Sequence, residues 1–117
     1  MAYEILKKHW TAAHDIPLVT FGIRGIIFIN SAAMNKYFQG IKFVELLHDN
    51  KKHTLGIKPV KESNQNAYKL KSTNPKEAST AAIACRSILK KLNVSLTQKK
   101  QYTPTWNTQE KLLEIKL

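Results

Sequence analysis

Negative charge is what this chain has least of. Eight Asp and Glu stand against nineteen Lys and Arg in 117 residues, leaving a formal charge of +11. A domain with that surplus repels itself and attracts polyanions, so an anionic partner is the first expectation. Cysteine is nearly absent, and the lone Cys85 excludes an internal disulfide framework. Its neighbours Ala81, Ala82, Ala84 and Ile88 suit a small buried thiol rather than a nucleophile. No apolar run is long enough to cross a bilayer, and residues 1–10 lack the apolar stretch of a signal peptide. The expected location is therefore cytoplasmic, without a membrane partner.

Chemistry-bearing constellations are equally sparse. The four glycines make no phosphate loop: Gly22 and Gly25 lie among strand formers, and no Lys-Ser or Lys-Thr follows them at the required spacing. His48, Asp49 and His53 stand close together, but a stable zinc site needs three or four placed ligands, and a polar hairpin tip accounts for the same letters. His14 and Asp15 read as a turn or helix end before Pro17. The carboxylates fall at structural positions: Glu77 at a helix start, Asp49 in a turn, and Glu110 and Glu114 among lysines near the C-terminus. No two form an acid and base pair. The chain is expected to be no enzyme, to carry no metal or cofactor, and to take no small-molecule substrate.

What is present suffices for one domain over residues 1–117, since 43% apolar residues can fill a single core. Residues 3–10 suit a short helix, and residues 18–23 and 26–29 read as strands separated by Gly25. Asn30 and Ser31 offer helix caps, with Ala33, Met34, Tyr37 and Phe38 at helical spacing up to Gly40. Residues 41–47 and 54–60 flank a polar turn and predict a hairpin. Residues 67–72 alternate, with Tyr68 and Leu70 on one side and Lys69 and Lys71 on the other. The longest helix is expected within residues 75–92, capped at Asn74 or Ser79, with Ala81, Ala84, Cys85, Ile88 and Leu92 as its apolar stripe. Residues 102–106 and 112–117 predict a closing hairpin. The fold class is α+β: a mostly antiparallel twisted sheet or partly open barrel, with one main packing helix and one short helix at about residues 31–38.

Between residues 18 and 60, Val19 and Thr20, the run Gly25 to Asn30, the short helix through Phe38, the run Ile41 to Leu46, Asp49, and Leu55 to Pro59 follow one another in a suggestive order. That order resembles the AbrB-like, or swapped-hairpin, family. The resemblance implies an interleaved dimer and DNA binding. Ile26 and Asn30 occupy the places where the family usually has Arg and Pro, and Arg24 is the nearest substitute. The overall pattern is also similar to small proteins of phages and mobile elements, which implies no activity.

The positive charge is uneven. Residues 1–58 hold eight basic and four acidic side chains, residues 59–117 eleven and four, and no acid lies between Ala78 and Gln109. The expected nucleic-acid contacts are Arg24, Lys58, Lys69, Lys71, Arg86, Lys90, Lys91, Lys99 and Lys100, mainly to phosphates. DNA is expected ahead of RNA, and two arginines equip the chain poorly for reading guanine. Tyr68, Tyr102 and Trp106 are candidates for base stacking, though their spacing favours the core. The alternative is a protein-interaction or assembly module, in which the apolar strand ending at Leu117 pairs across a homodimer.

Overall fold

Short β-branched and aromatic runs separated by turns build ten strands among the residues described by the computed structural model, which are Tyr3, 16–72, 80–94 and 96–117. In chain order these are β1 (Val19–Phe21), β2 (Ile26–Ile29), β3 (Phe43–Asp49), β4 (Thr54–Val60), β5 (Ala67–Lys69), β6 (Lys71–Ser72), β7 (Ala81–Ala84), β8 (Lys100–Tyr102), β9 (Thr105–Asn107) and β10 (Leu112–Lys116). Two helices join them, α1 (Ser31–Tyr37) and α2 (Arg86–Lys91). The strands form two five-stranded antiparallel sheets, ordered β6-β7-β2-β1-β8 and β5-β3-β4-β10-β9. Mixed α and β content is as expected, but divided between two sheets and without a closed barrel.

One core lies between the sheets. Val19, Phe21, Ile27, Ile29 and Ile83 of the first meet Val44, Leu55, Ile57, Leu113 and Ile115 of the second in one buried cluster. Each fully buried branched side chain contributes about 1.5–3 kcal/mol. The chain passes between sheets three times, first through α1 and then at two corners. At Leu70, whose N–H donates to the Lys42 carbonyl at 2.8 Å, the strand leaves the second sheet for the first. Between Tyr102 and Thr105 it returns.

Three expectations need correction. Residues 81–84 are a strand, not part of a long helix, because their Ala-Ala-Ile-Ala alternation buries Ala81 and Ile83 while pairing all four residues with β2. Alanine's helix preference is a weak prior that a central place in a sheet overrides; among the described residues of the expected helix, the helical ones are the six of α2. The closing hairpin forms, as β9 paired with β10 around a turn in which Asn107 accepts from the N–H groups of Gln109 and Glu110, but its first arm begins at Thr105, and Tyr102 belongs to β8 in the other sheet. The strand β10 is no free edge, since β4 and β9 occupy both its sides. The expected helix at residues 3–10 and the caps at Asn74 and Ser79 lie outside the described residues. The hairpin of β3 and β4 and the helix α1 form where the sequence places them.

Asn30 ties α1 to the first sheet. Its side-chain oxygen accepts from the N–H groups of Ala33 and Leu18, each at 3.0 Å, and its amide donates to the Ile16 carbonyl at 2.8 Å. The side chain is thus both a helix cap and a cross-link to the strand entry. Asn30→Ala is expected to lower unfolding free energy by about 2 kcal/mol. Asn30→Asp, which keeps the acceptor, should lose less. Urea denaturation of the three proteins measures this, and a loss below about 0.5 kcal/mol in the alanine variant would show that the bonds contribute little net stability.

Candidate nucleic-acid interface

Burial of alternate residues on the inside of the first sheet leaves the other set on its outside. By register, Lys71, Ala82, Phe28, Thr20 and Gln101 stand side by side across the five strands, with Ile26 and Ala84 in the next row. Small alanines beside a large ring make this face shallow and apolar at its centre. Phe28 is 37% exposed and Ile23, in the turn before β2, is 53% exposed. The Phe28 ring leans over Gly22, where an added Cβ would stand 2.9 Å from its Cε2. Two depressions flank the ring. One, of about 310 Å³, is lined by Gly22, Ile23, Arg24, Ile26, Phe28 and Lys99; the other, of about 230 Å³, includes Leu18, Thr20 and Gln101.

Cations gather around this face. Gly25 adopts φ +80°, and the Cys85 N–H donates to its carbonyl at 3.0 Å. A Cβ at Gly25 would fall 2.4 Å from that of Arg86, so the bare glycine lets the start of α2 sit against the turn, with Arg86 packed on the residue that follows Arg24. Lys90, one turn further along α2, is a surface neighbour of Arg86, on a helix whose Ile88, Lys91 and Leu92 line a groove with the β3–β4 hairpin of the second sheet. Lys99 enters from the segment before β8. Lys71 stands two strands from Phe28 in the same row, about 10 Å away at the usual strand spacing.

The carboxylates lie elsewhere. Among the described residues they are Glu45, Asp49, Glu62, Glu110 and Glu114, all on the second sheet or the segments that join its strands. The first sheet and α2 therefore carry positive side chains only, within the described residues. The other expected contacts are dispersed. Lys58 pairs across the second sheet with Glu45, and Lys69 with Phe43. Lys69 and Lys71 share one side in sequence, yet the corner at Leu70 leaves them on the outer faces of different sheets. Lys91 lines a groove of about 480 Å³ with His48 and His53. Lys100 sits opposite Phe21, its Nζ 5.7 Å from the centre of the Tyr102 ring.

Tyr68, Tyr102 and Trp106 are half-buried against the core. Tyr102 meets Phe21 at 4.9 Å between ring centres, and Trp106 stacks on Tyr37 at 5.0 Å. The exposed ring on this face is Phe28, which the sequence does not single out. Its signal is the alternation in Ile26-Ile27-Phe28-Ile29, masked because all four residues are apolar and read as buried on both faces. Among the described residues no group of three or more His, Cys, Asp or Glu is placed to hold a metal, and no helix is long and apolar enough to cross a membrane.

Comparison with known proteins returned no matching family model, no matching curated protein and no matching solved structure.

Cys85, at the junction of β7 and α2, is buried. Burial pushes its thiol up to about 11, against a smaller opposing effect of a hydrogen bond from the Ile27 backbone. The native protein should therefore react with a thiol-specific disulfide reagent at pH 8 far more slowly than the urea-unfolded chain, and equal rates would contradict the burial. Because the folded pKa is raised, the contribution to stability is complete below pH 9 and is lost as pH rises toward 11. A Cys85→Ala variant should lack this part of the alkaline decline.

Proposed function

We propose that this chain is a small, non-catalytic nucleic-acid-binding protein that holds phosphates with Arg24, Arg86, Lys90, Lys99 and Lys71 around the outer face of its first sheet. The separation of charge carries the reading: the described part of that sheet and α2 bear cations without a carboxylate, while acids and lysines are mixed on the second sheet. Surface cations near a polyanion release its counterions, so affinity should fall steeply with salt. Lys58, Lys69, Lys91 and Lys100 add to the long-range field more than to this contact surface. The AbrB-like resemblance of residues 18–60 implies the same ligand class, with DNA and a homodimer as finer proposals.

Assembly through strand edges draws less support. Among the described residues the outermost strands are β6, β8, β5 and β9, of two or three residues each, which offer little backbone to a partner.

Fluorescence anisotropy of labelled DNA and RNA, single- and double-stranded, over about 50–300 mM salt tests the proposal. Arg24→Glu with Lys99→Glu should weaken binding about tenfold or more and lower the log–log salt slope by about two. Lys58→Glu with Lys69→Glu should weaken it much less. Equal losses from both pairs would overturn the assignment to the first sheet, and an absence of saturable binding at the lowest salt would overturn the function.

A further inference from the structure

The geometry points to single-stranded nucleic acid as the ligand of this face, with a base stacked on Phe28; the inference rests on the nucleic-acid reading above and goes beyond it in naming the strand state. Phe28 lies in β2, the middle strand of the first sheet, and its partners in register on either side are Ala82 and Thr20. Neither neighbour is large enough to cover the ring, and Gly22 beneath it has no side chain to lift it. A large apolar side chain at such a position loses the free energy of burial that its neighbours Ile27 and Ile29 gain. Ile23, the other large apolar side chain exposed here, lines the same depression as Phe28.

Charge complementarity selects the occupant. Arg24 and Lys99 line the depression that Phe28 and Ile23 share, and Lys71 stands across the ring from them in Phe28's own row. An apolar ring flanked by cations on both sides matches a chain that alternates flat bases with phosphates, and base–aromatic stacking tolerates any sequence because every base has a π-face. A duplex offers phosphates to the cations but keeps its base faces within the stack. The ring is therefore useful to a single strand and idle against a duplex.

The experiment is anisotropy with labelled oligo(dT), oligo(dA) and a duplex of matched length at one low salt. Phe28→Ala should weaken binding to both single strands by about tenfold or more while changing duplex affinity by less than about twofold. Phe28→Trp should retain single-strand binding, and its added fluorescence, taken as the difference from the unsubstituted protein, should be quenched by oligo(dT) and not by the duplex. Phe28→Leu, which keeps apolar bulk without the ring, serves where the alanine variant melts early, and it should show the same selective loss. Loss of single-strand and duplex affinity together in Phe28→Leu, or of neither, overturns the stacking role. If the Arg24 and Lys99 reversals abolish all binding while Phe28 variants change nothing, the basic face stands and stacking falls; if the unsubstituted protein binds no oligonucleotide, both fall.

Discussion

Ile27 and Ile29 are fully buried in the core shared by the two sheets, and side chains in a strand alternate, so their burial sends Ile26 and Phe28 out through the opposite face. A one-residue slip of β2 would exchange the two pairs and flip its register against both β1 and β7. The same burial that anchors the core thus fixes where the exposed ring stands. Val19 and Phe21 on one side of β2, and Ala81 and Ile83 on the other, are inward by the same rule, which leaves Thr20, Ala82 and Ala84 on the outside. Two alanines and a threonine around one phenylalanine make a low, open surface.

Charge is sorted over the fold more sharply than the sequence count conveys. The second sheet mixes signs, as where Glu45 stands opposite Lys58 in register. Cross-strand neighbours of opposite sign contribute at most about 1 kcal/mol, yet they cancel the field locally. Cations on the first sheet and α2 have no described carboxylate of their own sheet to cancel them. Lys90 and Lys91 also stand in the last turn of α2, where they complement the carbonyl end of the helix. That local reason for their placement does not extend to Arg24 or Lys99, which lie outside any helix.

How far the sequence revealed this depended on whether a local signal agreed with the pairing. Helix α1 was legible because Asn30 is a strong cap and its apolar residues recur at helical spacing. The β3–β4 hairpin was legible because its apolar arms flank a polar turn, in which Asp49 accepts from the N–H groups of Lys51 and Lys52. The strand β7 was not, since alanine-rich letters favour a helix and only contact with β2 makes them extended. Neither corner was visible: alternation runs on through Leu70, so period alone cannot tell that Lys69 and Lys71 face away from different sheets. The candidate site shared that limit. Arg24, Lys71, Arg86 and Lys99 were legible as cations, but nothing local in sequence brings residues 24, 86 and 99 to one turn.

The turn between β1 and β2 is where fold and site meet. Its N–H and C=O groups at Gly22 close the strand pair, with the Gly22 N–H donating to the Ile26 carbonyl at 2.8 Å. Gly22 is bare where the Phe28 ring comes down, and Gly25 is bare where the backbone of Arg86 passes. Each glycine meets a steric demand of the fold, and each demand also places a member of the proposed surface. Between them stand Ile23 and Arg24, the turn's exposed pair, one apolar and one cationic. The segment Gly-Ile-Arg-Gly therefore needs no phosphate-loop chemistry to account for its glycines: close approach accounts for both, and the two residues they frame carry an apolar contact and a charge to the same depression.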